Sequence, residues 1–130
     1  MYSLYFDGCS KGNPGIAGAG AVLYDENKKE LWTISHKIIE KQTNNFAEYT
    51  GLILGLKKCI EYGVKDLEIY GDSQLVIRQI QGTYKVKSSN LVLLYKMTID
   101  LLSTFNNVTI NHVYRNNNYR ADELANIAIL

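Results

Sequence analysis

Apolar and polar residues follow two rhythms along this chain, and the switches between them mark out its elements. Tyr2 to Phe6 (YSLYF) is aromatic and apolar, suits a half-buried pleated surface, and reads as a strand. Ala17 to Tyr24 (AGAGAVLY) is small and then apolar. Asp25 to Lys29 (DENKK) is a polar turn, and Leu31 to Ile39 alternates, with Trp32, Ile34 and His36 set against Leu31, Thr33 and Ser35. Two runs joined by a short polar turn predict an antiparallel hairpin, which extends the first strand into a three-stranded meander. Gly18 and Gly20 predict a strand closely approached by another backbone.

From Thr43 to Tyr62 the period becomes 3.6. Leu52, Leu56, Cys59 and Ile60 form one stripe, Thr43 or a neighbouring Asn can cap the start, and Gly63 ends the helix. Asp66 to Gly71 (DLEIYG) predicts a buried strand, and Gln74 to Ile80 (QLVIRQI) a short helix stopped by Gly82. Leu91 to Phe105 predicts a second amphipathic helix, with Leu94, Met97, Leu101 and Leu102 at helical spacing. Val108 to Val113 predicts a last strand, and a polar loop leads into a closing helix over Ala121 to Leu130. The order β β β α β α α β α predicts an α/β fold. Its sheet has five strands, mixed (three antiparallel plus two parallel), flanked by helices on both faces. No linker or repeat interrupts residues 1–130, which read as one domain.

Four carboxylates stand out against this frame. Asp7 follows the first strand, Asp72 follows the fourth, and Asp122 lies in the first turn of the last helix. Extending the apolar stripe of the long helix back one turn from Leu52 reaches Glu48, so this carboxylate lies in line with a buried face. Each acid also has an ordinary reading as a turn cap, a solvated helix residue or a first-turn dipole acid. In a sheet with parallel neighbours, strand C-terminal ends share one edge, where sites form. The first and fourth strands are parallel neighbours if the hairpin occupies one side, which places Asp7 beside Asp72. Clustered carboxylates repel and raise one another's pKa unless a cation offsets them. An all-oxygen set suits Mg²⁺ or Mn²⁺, not zinc. Two such ions can activate a water and stabilise the leaving oxygen of a phosphodiester. Neither His36 nor His112 joins a Ser-His-Asp or Cys-His arrangement; both fall within strand patterns.

Composition adds little. The chain is 46% apolar with a formal charge of +1, so it is neither nucleic-acid-like nor acidic as a whole. Ser73 to Ile99, however, holds Arg78, Lys85, Lys87 and Lys96 and no acid, which allows a basic face beside an acidic pocket. Cys9 and Cys59 lie far apart without metal-ligand spacing and read as reduced core thiols. With no signal-like start and no apolar run near the ~20 residues of a membrane span, a cytoplasmic protein with no membrane association is expected.

DGCSKGNPGIAGAGAVL, TNNFAEYTGLILGL, IYGDSQLVIRQIQGTYKVK and NYRADELAN together resemble the ribonuclease H type 1 family, in order and over essentially the whole chain. The resemblance implies a ribonuclease H-like fold and an endonuclease that hydrolyses the RNA strand of RNA–DNA hybrids. It implies two Mg²⁺ ions, for which Mn²⁺ can substitute, and products with 5′-phosphate and 3′-hydroxyl ends. The family's four metal-binding acids fall on Asp7, Glu48, Asp72 and Asp122.

The resemblance also carries substrate contacts. Gly8, Ser10 and Asn13, with Asn45 before the helix and Gln74 after Asp72, would read the 2′-hydroxyl that marks the RNA strand. Lys85 and Lys87 would track DNA phosphates, contacts that position without reading sequence. Two departures from the family pattern matter. Only Gly82 to Asn90 (GTYKVKSSN) occupies the place of the long basic protrusion of many bacterial members, so the chain looks like the short form of archaeal and plant-like members. Tyr114 to Arg120 (YRNNNYR) contains no catalytic-support His. Arg115 matches the arginine of short-form members, implying an auxiliary role in product release or a phosphate contact. A monomer acting on hybrids, with double-stranded RNA as a further candidate substrate, is the expectation. A non-catalytic hybrid- or RNA-binding module on the same fold is the alternative.

Overall fold

A computed structural model describes all 130 residues. The elements are β1 (Tyr2–Lys11), β2 (Ile16–Tyr24), β3 (Glu30–Lys37), α1 (Asn44–Tyr62), β4 (Asp66–Gly71), α2 (Gln74–Ile80), α3 (Ser89–Leu102), β5 (Asn107–His112) and α4 (Tyr119–Ile127), with a 3₁₀ turn at Arg115–Asn117 before α4. One sheet runs in the order β3-β2-β1-β4-β5. β1 and β3 pair antiparallel with β2, whereas β4 pairs parallel with both β1 and β5. This is the mixed five-stranded sheet that the pattern predicts. α1 covers one face of β1 and β2 and packs on α3, and α4 covers the other face.

Leu4 and Phe6 of β1, Ile69 of β4 and Leu52, Leu56 and Cys59 of α1 are wholly buried and form the main core, closed by Val76 and Ile77 of α2. Thr43 caps α1 by accepting from the Phe46 amide at 3.2 Å, and Gly63 ends it in the left-handed conformation at φ 89°. The Tyr49 hydroxyl, also buried, donates to Gln79 Oε1 at 2.6 Å and pins α1 to α2.

Several boundaries differ from the pattern. β1 continues through Asp7 to Lys11, because β2 stays paired alongside it as far as Lys11↔Ile16, and cross-strand hydrogen bonds override the local preference of Gly8 and Ser10 for turns. Asp7 therefore lies inside a strand, not at its end. Asn45 lies in the first turn of α1, not before it. Ile60 is turned to solvent at the rim of the stripe, and Ile39, beyond the end of β3, is 97% exposed. Cys59 is buried as expected, but Cys9 is only half-buried, because it stands on β1 beside an open groove.

Small residues set how closely the layers meet. A Cβ on Gly51 of α1 would lie 2.5 Å from the Asp7 carbonyl oxygen and 3.0 Å from that of Gly20. A Cβ on Gly8 would strike the Ala47 backbone, and Gly18 and Gly20 face the backbone of α4 at Ala125 and Ala121 in the same way. The expectation that another backbone approaches Gly18 and Gly20 is met, and that backbone is α4.

Helix propensity alone makes Gly51→Ala stabilising by about 1 kcal/mol. The approach to Asp7 reverses the sign: forcing α1 off β1 is expected to destabilise by about 1–3 kcal/mol. Urea unfolding of Gly51→Ala checks this, and a midpoint above that of the unsubstituted chain would contradict the geometry.

Candidate active site

The parallel ladder between β1 and β4 ends at Phe6↔Gly71, so Asp7 and Asp72 are the first residues past its end on adjacent strands. β1 remains in the sheet there, with Asp7 opposite Gly20, and this keeps Asp7 buried at 4% exposure. α1 crosses the same point, and the close contacts at Gly8 and Gly51 bring Glu48, one turn before Leu52, against Asp7. Asp7, Glu48 and Asp72 each offer a carboxylate oxygen, and these atoms lie within 4.8 Å of one another. Asp122, in the first turn of α4, stands outside that tight trio but lines the same groove, which has a volume of about 500 Å³.

No cationic side chain enters the trio. Arg115, largely exposed, stands at the edge, 3.8 Å from Asp122, and its charge reaches Asp72 from outside the trio. Burial lifts the Asp7 carboxyl to about 7, opposed by hydrogen bonds from the Glu48 carboxyl and the Gly8 amide (2.9 Å) and reinforced by the charges of Asp72 and Asp122. Burial, with the Asp7 charge next, pushes Glu48 well above the usual carboxylate range. Asp72 is raised by burial too, with a hydrogen bond from the Asn118 side chain opposing the rise. Glu48 Oε2 is buried without a partner. An all-oxygen cluster with an orphaned buried acceptor and no internal counter-charge fits a hard divalent cation such as Mg²⁺ or Mn²⁺.

The other expected residues divide. Ser10 and Asn13 are taken up in the fold as well as lining grooves. The Ser10 hydroxyl donates to the Gln42 carbonyl at 2.6 Å, and Asn13 Oδ1 accepts from the Asn44 amide at 2.9 Å. Gly8 is buried at the α1 contact, its amide donating to the Asp7 carboxylate. Asn45 stands where two grooves meet: it lines the acidic groove and also a second one, of about 390 Å³, that holds Asn13, Lys85 and Lys87. Both lysines are exposed. Gln74 is exposed at the start of α2 and lines neither groove. His112 ends β5 with Nε2 3.3 Å from the Asp72 backbone oxygen, so it meets that residue's main chain.

Two asparagines escape sequence reasoning. Asn44 Oδ1 accepts from the Ser10 amide at 2.7 Å and ties the β1 end to the α1 start. The run Thr43-Asn44-Asn45 signals a cap, but nothing local separates its two asparagines. Asn118, in the polar YRNNNYR loop, is 1% exposed, and its Nδ2 donates to the Phe6 carbonyl at 2.9 Å. Three consecutive asparagines read as a solvated loop, and only the fold distinguishes the third.

Comparison with known proteins agrees with this geometry. The family described as "Reverse transcriptase-like" matches residues 5–128. A protein called "Ribonuclease HI" from Halobacterium salinarum is 40% identical over 125 residues, 96% of this chain and 62% of its own length. "Bifunctional protein Rv2228c" of Mycobacterium tuberculosis is 41% identical over 123 residues, 95% of this chain. The chain thus spans about a third (34%) of that mycobacterial relative. The crystal structure of LC11-RNase H1 in complex with RNA/DNA hybrid superposes with a TM-score of 0.93 at 38% identity, covering 99% of this chain and 96% of that one.

The raised carboxyls set a pH dependence. A carboxyl with an unfolded pKa of about 3.9 that is held near 7 in the fold keeps a proton the unfolded chain has released. Stability from Asp7 is thus full below the unfolded value and is lost as pH rises towards 7, and the upward shifts of Glu48 and Asp72 act in the same direction. In EDTA, the Tm is expected to fall between about pH 4 and pH 7, and Mg²⁺ should restore more of it at the higher pH. Asp7→Asn should raise the metal-free Tm at the higher pH. A Tm in EDTA that climbs over this range would contradict the reading.

Proposed function

The chain belongs to the ribonuclease H type 1 family, and on that premise we propose that it is an endonuclease hydrolysing the RNA strand of RNA–DNA hybrids, with residues 1–130 forming one catalytic domain that acts as a monomer. The observation that carries this reading is the meeting of Asp7, Glu48 and Asp72 within 4.8 Å, with Asp122 on the same groove and no basic side chain among the three. A module that only bound nucleic acid would gain nothing from holding three repelling carboxylates together, two of them buried.

Asp7, Glu48, Asp72 and Asp122 would hold two Mg²⁺ or Mn²⁺ ions. Once bound, the ions would supply charge that lowers the pKa of water and stabilises the leaving oxygen of a phosphodiester. The chain's own groups do the positioning. The three inner acids come from a strand, a helix and a strand end packed without slack, so their oxygens stay close despite repulsion. Attack on the side opposite the ribose 3′-oxygen leaves a 3′-hydroxyl and a 5′-phosphate.

Substrate reading is assigned to the polar rim. Gly8, Ser10, Asn13, Asn45 and Gln74 would face the 2′-hydroxyl strand, with Asn45 at the junction of the two grooves. Lys85 and Lys87 would take phosphates of the DNA strand along the second groove. Arg115 stands at the outer edge beside Asp122, where a cation would meet a scissile or product phosphate and aid its release. The hybrid in the LC11-RNase H1 complex supports the substrate class, because that protein shares the whole fold with this chain.

Mg²⁺-dependent cleavage of a 5′-labelled RNA strand annealed to DNA or to RNA tests the reading. Cutting is expected in the hybrid, and Asp7→Asn should abolish it while leaving the fold intact. Full activity in Asp7→Asn, or binding without cutting in both Mg²⁺ and Mn²⁺, would overturn the assignment. Changing Lys85 and Lys87 together to Ala should weaken hybrid binding most at low salt and reduce the slope of log Kd against log salt by about two. An unchanged slope would remove both lysines from the phosphate path.

A further inference from the structure

At the point where β4 leaves the parallel ladder, the Phe6 carbonyl is met by a side chain: Asn118 Nδ2 donates to it at 2.9 Å across 112 residues of sequence. The same side chain lies beside the Asp72 carboxylate and helps to hold its pKa down. Its own Oδ1 is buried and accepts nothing. An unpaired buried acceptor is costly, and what the arrangement secures is an N–H donated to the carbonyl before Asp7 and an amide close to Asp72. An apolar residue of similar size would fill the space without that penalty and without those bonds.

The backbone of Asn118, by contrast, is fully hydrogen-bonded. Its amide donates to the Arg115 carbonyl at 3.0 Å, and its carbonyl accepts the Asp122 amide at 3.1 Å in the first turn of α4. One residue at 1% exposure therefore ties the strand of Asp7 to the turn that carries Asp122 and Arg115, and lies beside Asp72 as it does so.

We propose that Asn118 is a positioning residue for this site: it locks the separation of the Asp7 strand, Asp72 and the α4 start, and so sets the carboxylate geometry that a divalent cation meets. The inference rests on the reading of the groove as a cation site. Asn118 does not contact substrate; it acts through the acids. Partners that orient metal-binding carboxylates carry a large share of metal affinity even without touching the ion.

The test compares the full chain with Asn118→Ala, using Mn²⁺ alone in calorimetric titration and steady-state cleavage of a hybrid. The variant is expected to bind Mn²⁺ about 10- to 100-fold more weakly and to lose a comparable factor in kcat, with KM for the hybrid nearly unchanged. Mn²⁺ affinity and kcat equal to those of the unsubstituted chain would overturn this inference alone. Failure of the unsubstituted chain to bind Mn²⁺ would overturn the cation reading and this inference together. If Asn118→Ala does not fold, the unsubstituted protein decides. The side-chain amide protons of Asn118 should be slow to exchange and should shift on Mg²⁺ titration together with the backbone amide of Asp72. Resonances indifferent to Mg²⁺ would refute the role.

Discussion

The structure depends on holding several carboxylates together in a place where they repel. Asp7, Glu48 and Asp72 lie within 4.8 Å of one another, and burial raises all three pKa values. Such a cluster cannot stabilise the fold by itself; rigid surroundings must impose it. The end of a parallel ladder, a helix seated directly on a strand and a buried asparagine supply that rigidity. A divalent cation would supply the counter-charge that the cluster lacks and relieve its repulsion.

Backbone proximity is the means. Gly8 and Gly51 let α1 lie on β1 at Asp7, and Gly18 and Gly20 let α4 lie on β2. Without these contacts the helices would stand off by the thickness of a side chain. Glu48 and Asp122 would then be too far from the strand acids to share a groove with them. The glycines therefore determine the distance over which the chemistry can operate, although they contribute no functional group.

Charge is divided in a matching way. The acidic groove adjoins one holding Lys85 and Lys87, and Asn45 lines both. A near-neutral chain can thus present an anion-repelling pocket that needs a cation and, beside it, a surface attractive to phosphate. The basic run from Ser73 to Ile99 accounts for the second surface without any net excess of charge. Arg115 on the far side, beside Asp122, gives the groove a second positive edge.

Much of this was legible in the residues themselves. Alternation in β3, runs of β-forming and apolar residues in the other strands, and period-3.6 spacing in the longer helices located all five strands and four helices, because these patterns reflect which side chains can be buried together. Glu48 betrayed itself by standing in line with Leu52 and Leu56, where a solvated acid has no place. The order of elements placed Asp7 beside Asp72, since handedness and ladder rules leave few arrangements. Tertiary structure alone decided the rest. β1 runs past Asp7 because β2 continues to pair with it. Asn44 and Asn118 differ from the asparagines beside them only in which distant backbone they meet, Ser10 for one and Phe6 for the other. Local sequence encodes propensity and burial, but a hydrogen bond spanning 112 residues exists only once the sheet and both helices have closed around it.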